Sequence, residues 1–482
     1  MAITPTTLLD LTENRPSLLD SVTVGADIGR PIHDAATSEL IGYAPENTTE
    51  DLEAVIAKAR AAQPAWAALG HAQRSAILMD IAQDIDDHAD ELAEILTREQ
   101  GKPLEGPNSR FEVGASASWT RSAATTVLEP ETVVDDRGTK AVLTYGPLGV
   151  VGAIGPWNWP MMITVWQIAP ALRMGNTVVV KPSEFTPLSV LALAEIFNRH
   201  LPEGVLHVVA GGREVGAAMT SHPDLDKIMF TGSTATGRKI VEASANSLAR
   251  LTLELGGNDA GIILPDTDVD TILEDLFWGI FINTGQTCAA LKRLYVHDSV
   301  YDEVVQKLAA MADAVPMGHG LEEGNVLGPL QNRQQFDIVR NLVEDARSKG
   351  ARVVTGGEPA WELGPQFYRA TVVADIEDGT ALVDEEQFGP AIPVIRYSEI
   401  EDAVRRANAS DQGLGASVWG NDVDQATEVA AMLEAGTVWI NRHGTLHPDM
   451  PFGGTKASGY GMEFGHHGLK AVGAPKVVAV PK

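Results

Sequence analysis

The 482-residue chain is 44% apolar and 21% charged, an ordinary globular composition, and its length predicts two or three packed units. A formal charge of −29 argues against nucleic acid or an anionic membrane surface as partner. The single cysteine, Cys288, excludes an intrachain disulfide and a cysteine-rich metal site. Asp10, Glu13 and Asp20 stand where a secretory leader would need basic and then apolar residues. No uncharged apolar run reaches the ~18 residues of a spanning helix, so a cytoplasmic protein is expected.

In chain order, the first third reads as helices. Asn47-Thr-Thr-Glu-Asp51 supplies a cap and acid for a first turn, followed by Leu52, Val55, Ile56 and Ala59 at helical spacing, with Pro64 breaking the run. A second helix is expected over 73–99, its apolar face formed by Ile77, Leu78, Ile81 and Ile85, stopping at Gly101-Lys102-Pro103. From about 140 the pattern changes to buried strands at 149–155, 177–181, 205–209 and 227–231, with helices such as 187–198 and 234–244 between them. Uninterrupted β-branched runs separated by helices indicate a parallel sheet covered on both faces. The alternation resumes at 262–264, 352–355, 391–396, 416–419 and 437–440, so two tandem α/β units are expected, divided at Gly256-Gly257 after a strand over 250–255. The segment 124–144 and the tail 476–480 are β-rich and read as edge strands used in association.

Phe230-Thr-Gly-Ser-Thr-Ala-Thr-Gly237 is a strand, a Gly-containing turn and a helix start, a place where backbone N–H groups and the helix N-terminus favour pyrophosphate. Its G-x-x-x-x-G spacing differs from the usual G-x-G-x-x-G fingerprint, and such turns also start helices that bind nothing. Lys181 and Glu184, at a strand's carboxyl end, could hold the ribose hydroxyls of an adenosine or form a solvated pair. A lone cysteine is most often a small buried apolar residue. Cys288, however, sits in Phe281-Ile-Asn-Thr-Gly-Gln-Thr-Cys288 after a strongly apolar helix. A carboxylate at Glu254 is a possible base. Near a thiol it would raise the thiol's pKa, so it suits water activation in a later step better than thiolate stabilisation. Asn158, in Pro156-Trp-Asn-Trp-Pro160, either donates to a developing oxyanion or caps the helix that begins near Pro160.

These stretches, in this order and spacing, resemble the NAD(P)-dependent aldehyde dehydrogenase superfamily. The likeness continues through Leu253-Glu-Leu-Gly-Gly257, Glu385-Glu-Gln-Phe-Gly-Pro390, Asn441 and Pro451-Phe-Gly-Gly-Thr-Lys-Ala-Ser-Gly459, covering nearly the whole chain. It implies an α/β fold with two tandem Rossmann-type parallel-sheet domains and a small β oligomerisation segment. The cofactor-binding domain would take 1–123 and 144–255, the catalytic domain 256–469, and the oligomerisation segment 124–143 with 470–482.

By the same resemblance Cys288 attacks the aldehyde carbonyl, and Asn158 with the Cys288 N–H holds the oxyanion. Hydride passes to the nicotinamide, and Glu254 activates the water that hydrolyses the thioester. Lys181, Glu184 and Ser233 match adenosine-side and phosphate contacts, and Ser183, Gly212 and Gly237 also fall in the cofactor site. Glu386 and Phe388 match nicotinamide-side contacts, and Ile154, Pro156, Trp157, Phe230, Thr231, Gly232, Leu255 and Gly256 complete the cofactor site. Glu184 would repel a 2′-phosphate, so NAD is favoured, while Lys181 could still tolerate NADP.

Many relatives have a lysine after the tryptophan equivalent to Trp166, paired with a glutamate matching Glu463 in proton exchange. Gln167 stands there in this chain, so the relay through Glu463 is altered or unnecessary. Acyl transfer to coenzyme A is disfavoured because such relatives generally lack the glutamate at Glu254. A catalytically silent binding paralogue is disfavoured by the intact Cys288, Glu254 and Asn158.

Trp159, Ile163, Trp166, Thr287, Leu446 and Phe452 are expected to line an apolar entry tunnel for an uncharged medium-chain or aromatic aldehyde. The alternative is a semialdehyde bearing a carboxylate, for which Arg442 is a possible partner. His443 and His447 lack an acid or cysteine at metal-ligand spacing and are expected at the surface or tunnel rim, so no metal is expected. A homodimer or homotetramer is expected from the β segments.

Overall fold

The computed structural model describes residues 17–482. Asp10, Glu13 and the start of the expected 1–123 unit therefore lie outside the described residues. Among the described residues no helix is long and apolar enough to cross a membrane.

A six-stranded sheet organises the first half. Val150–Ile154, Thr177–Lys181 and Leu206–Val208 run outward in order, and Lys227–Thr231 and Arg250–Glu254 then extend the sheet from the other side of Val150–Ile154. All five are parallel, and Gly459–Tyr460 returns from the far end of the chain to pair antiparallel with Arg250–Glu254. Every residue of Val150–Ile154, Thr177–Lys181 and Lys227–Thr231 is buried, as expected for strands covered on both faces. The strand order reverses between Val150–Ile154 and Lys227–Thr231, and a crevice opens at the carboxyl ends of strands flanking such a switch point.

The second sheet has seven strands in the order Arg352–Thr355, Thr371–Ala374, Ala391–Tyr397, Leu291–His297, Asp259–Ile263, Gly415–Trp419 and Thr437–Ile440. It is parallel except for the edge strand Arg352–Thr355, which runs antiparallel. Leu291–His297 and Thr371–Ala374 escaped the reading of the sequence. The former is interrupted by Lys292 and Arg293, whose charges are buried only because carbonyls and a carboxylate receive them.

Three other differences have local causes. Helix Thr49–Ala68 passes through Pro64 instead of ending there. Its last turn is held from outside, with buried Trp66 donating its indole N–H to the Leu172 carbonyl at 3.1 Å. The expected 73–99 helix is two helices, Gly70–Asp87 and Ala89–Gln100. His88 leaves helical geometry between them and its ring Nδ1 lies 2.9 Å from the Asp84 carbonyl. An antiparallel hairpin, Gly29–His33 with Leu40–Pro45, precedes the helices of the first third and was not anticipated.

A separate antiparallel sheet joins Glu131–Asp135, Thr139–Pro147 and Gly473–Pro481. Its pairing runs past position 143 to Pro147, and helix Ser109–Thr125 occupies the start of the expected β segment. Val477, Val478 and Val480 are about half exposed on it.

Candidate active site

Helix Val269–Phe281 ends in an unusual turn that carries the thiol. Asn283, Thr284 and Gly285 follow with φ of 51°, 56° and 74°. The left-handed region costs a residue with a Cβ about 1–2 kcal/mol, so two such residues in succession need outside support. Asn283 Nδ2 donates to the Asn158 carbonyl at 2.8 Å, and Thr284 Oγ1 accepts from the Gly328 N–H at 3.1 Å. Gly285 can have no side chain, because a Cβ there would meet the Gly389 carbonyl oxygen at 2.3 Å. The turn delivers Cys288, half-buried, against an aromatic cluster.

Burial pushes the Cys288 thiol up to about 12, Lys292 pulls it down, and Asp259, Glu386 and Glu254 push it further up. Glu254 thus acts in the direction its charge predicts, but burial is the larger cause. Lys292 donates to the Cys288 carbonyl and lies 3.2 Å from Glu386 Oε1.

Asn158 reaches this loop from the end of strand Val150–Ile154. It is 3% exposed, and its Nδ2 donates to the Gln286 carbonyl at 2.9 Å, leaving one amide hydrogen uncommitted. No side-chain hydrogen bond caps helix Pro160–Met174. Of the two roles left open for this side chain, capping is therefore not the one it adopts.

Glu254 ends the strand Arg250–Glu254, 4% exposed, and neither carboxyl oxygen has a hydrogen-bond partner. Glu463, 2% exposed, is equally bare. Burial raises Glu254 well above the ordinary glutamate range, and Glu463 raises it further. Burial raises Glu463 to about 8 against the pull of Lys227, whose Nζ donates to Thr252 Oγ1 at 2.7 Å. Gln167 turns away from a charge role. Its Nε2 donates to the Ile154 carbonyl and to Thr231 Oγ1 at 3.3 and 3.2 Å, and its Oε1 has no partner.

Pro156, Trp157, Lys181, Ser183, Glu184, Phe230, Thr231, Gly232, Ser233, Leu255, Gly256, Glu386 and Phe388 line one cleft of about 650 Å³ that reaches Asn158 and Cys288. It lies at the switch point of the six-stranded sheet. Gly256 keeps it open, since a Cβ there would strike Glu386 Oε2 at 2.3 Å. Glu386 Oε1 accepts from the Gly257 N–H at 3.2 Å, and Phe388 packs edge-on against Trp157 at 5.3 Å. Ser233 caps helix Thr234–Ser244 by accepting from the Thr236 N–H.

Three residues expected at the cofactor stand behind the lining. Ile154 ends its strand, Gly237 lies inside helix Thr234–Ser244 against Leu255, and Gly212 caps helix Arg213–Ser221. The carboxylates of Glu184 and Glu46 both lie 3.8 Å from where a Gly212 Cβ would stand.

Trp159, Ile163, Trp166, Phe452 and Leu446 gather with Cys288 in one apolar cluster. Trp159 Nε1 donates to Thr287 Oγ1 at 2.9 Å. Trp119 and Phe464 belong to the same cluster and were missed. The Phe464 ring lies 4.7 Å from Trp166, 5.5 Å from Trp119 and 5.9 Å from Phe452, with its backbone at φ 69°. Its position directly after Glu463 was the signal available. Asn283, Gln286 and Lys292 were missed too, and only their closeness to Cys288 in sequence pointed to them.

Arg442 is exposed. His443 is not at a surface or rim: it is 7% exposed, with Nδ1 2.9 Å from Ser417 Oγ and its ring 5.0 Å from Trp439. Filling the space beside Gly279 and Trp439 buries it. His447 is exposed. Among the described residues no group of three His, Cys, Asp or Glu side chains could hold a metal ion.

A nucleotide-sized cleft that reaches a half-buried thiol is the geometry of a cofactor-dependent enzyme. The particular family follows from comparison: the aldehyde dehydrogenase family matches residues 26–478, and this chain belongs to it. A phenylacetaldehyde dehydrogenase from Pseudomonas fluorescens is 40% identical over 92% of this chain and 90% of its own length. An aldehyde dehydrogenase from Bacillus cereus, solved as its NAD+ complex, superposes with a TM-score of 0.91 at 37% identity, covering 94% of this chain and 93% of that one. An NADP-dependent enzyme of E. coli superposes at 0.92 with 35% identity, covering 94% and 95%.

Proposed function

We propose that this enzyme oxidises an uncharged aromatic aldehyde, of the phenylacetaldehyde kind, to its carboxylic acid with NAD. The observation that carries the reading is that Trp159, Trp166, Phe452 and Phe464 gather in one cluster with Cys288 packed against it. The similarity to a phenylacetaldehyde dehydrogenase supports it. Arg442, the candidate partner for a substrate carboxylate, is exposed, which disfavours a semialdehyde.

Once its proton has passed to water, the Cys288 thiolate adds to the aldehyde carbon, and the Asn158 amide with the Cys288 N–H receives the oxyanion. Bound in the 650 Å³ cleft, NAD supplies the hydride acceptor. The resulting thioester is hydrolysed by water that Glu254 deprotonates in its ionised form, which burial makes harder to reach and which no hydrogen bond ties up. Glu184 lines the cleft at the expected adenosine end, where it would repel a 2′-phosphate, and Glu46 beside it is already paired with Arg30 at 2.9 Å, so the preference for NAD over NADP rests on Glu184.

We assign cofactor binding to 17–123 and the segment from 148 to 255, catalysis to 256–469, and association as a dimer or tetramer to the sheet of Glu131–Asp135, Thr139–Pro147 and Gly473–Pro481. The exposed valines of Gly473–Pro481 support that last role, and light scattering tests it.

The test is NADH formation with phenylacetaldehyde, hexanal and succinic semialdehyde. The highest kcat/KM is expected for phenylacetaldehyde. A preference for the semialdehyde would overturn the substrate class, and equal rates with NADP would overturn the cofactor preference.

A further inference from the structure

Lys102 is 1% exposed, and three groups surround its ammonium. Nζ donates to Glu112 Oε2 at 2.6 Å and to the Asn158 carbonyl at 2.7 Å, and lies 3.6 Å from the centroid of the Trp159 ring. Glu112 is committed on its other oxygen as well. Oε1 accepts from the Met161 and Met162 N–H groups at 2.9 and 3.1 Å, in the first turn of helix Pro160–Met174. The pair thus ties the start of that helix to the backbone of Asn158.

From that anchored backbone the two side chains reach the nucleophile loop. Asn158 Nδ2 donates to Gln286, and Trp159 Nε1 donates to Thr287, the residue before Cys288. Apart from Lys102, Asn283 Nδ2 donates to the Asn158 carbonyl, and Asn283 is itself one of the left-handed residues of that loop.

Stability alone does not account for such a pair. Taking two charges out of water costs several kcal/mol each, and apolar residues of equal volume often do as well. A short ammonium contact to one particular carbonyl, closed on the far side by an aromatic face, instead sets an orientation.

We infer that Lys102, backed by Glu112, is a positioning residue for the Asn158 oxyanion donor. The inference rests on the reading of Asn158 given above. With Lys102 present, the 156–160 segment is pinned at its carbonyl, and the carboxamide is aimed by the backbone rather than by its own rotamer. Without it, Asn283 alone holds that carbonyl, and the loop that carries Cys288 loses its fixed counterpart.

The test compares single-turnover acylation, read as NADH release, in four proteins: wild type, Asn158→Ala, the double variant Lys102→Met with Glu112→Gln, and all three substitutions together. Replacing both members of the pair leaves no lone buried charge. The double variant is expected to acylate about 10- to 100-fold more slowly with unchanged NAD affinity, as a displaced catalytic group does. Added to Asn158→Ala, the same two changes should cost little more, because the donor they aim is already gone. An equal loss in both backgrounds, or no loss in the wild-type background, overturns the inference. If Asn158→Ala itself leaves acylation unchanged, the oxyanion reading falls and takes this inference with it, a result distinct from either of those. Should the double variant not fold, Lys102→Arg, which keeps a cation opposite Glu112, replaces it in the same cycle with the same expectations.

Discussion

Glu112 and Glu254 are comparably enclosed, at 0% and 4% exposure, and opposite in their partners. Glu112 is met by Lys102 and two backbone N–H groups. Neither Glu254 nor Glu463 near it has a hydrogen-bond partner on its carboxyl group. A carboxylate out of water is costly unless it is paired and hydrogen-bonded, and an unpaired one holds its proton instead. That is the direction both Glu254 and Glu463 take. The first kind of carboxylate builds the frame and the second kind is available to exchange protons.

The largest expected effect lies beside the bare pair. Cys288→Ala should lose more than about 10⁴-fold in turnover, as loss of a covalent nucleophile does, measured as NADH formation. Glu254→Gln should lower steady-state turnover by about 10²–10⁴-fold, the usual worth of a general base, while sparing a first burst of NADH. A burst that vanished with the turnover would place Glu254 in acylation instead.

Stability sharpens the same contrast. Glu112→Ala leaves Lys102 buried and alone, and should cost about 3–5 kcal/mol in urea unfolding, the range seen when one partner of a buried pair is removed. Glu463→Gln should act the other way. Burial raises Glu463 from 4.5 to about 8 in the folded chain, so the folded state binds its proton more tightly than the unfolded state does. Its contribution is present in full below pH 4.5 and is lost as pH rises towards 8. The variant should therefore melt higher than wild type at pH 8 and show a flatter fall between those limits. A lower melting temperature at pH 8 would mean that Glu463 is stabilised as an anion.

Much of this was legible in the chain. The β-branched strands around Ile154, Lys181 and Thr231 are fully buried, and burial on both faces is what writes a continuous apolar run. The nucleophile and its carboxylate stood out because their motifs coincide across long separations. What stayed hidden depends on contacts between distant segments. Lys102 read only as part of a helix stop, since nothing local reveals that Glu112 and Asn158 converge on it. Leu291–His297 was hidden by Lys292 and Arg293, charged residues tolerated in a buried strand because remote carbonyls accept from them. Phe464 was passed over beside Glu463, though its ring stands at the centre of the aromatic wall.

The most direct test of the account is the mass of Glu254→Gln after mixing with NAD and phenylacetaldehyde. The account predicts one acyl group on the peptide that contains Cys288, and none when Cys288→Ala is added. An unmodified Cys288 peptide together with undiminished turnover would contradict it.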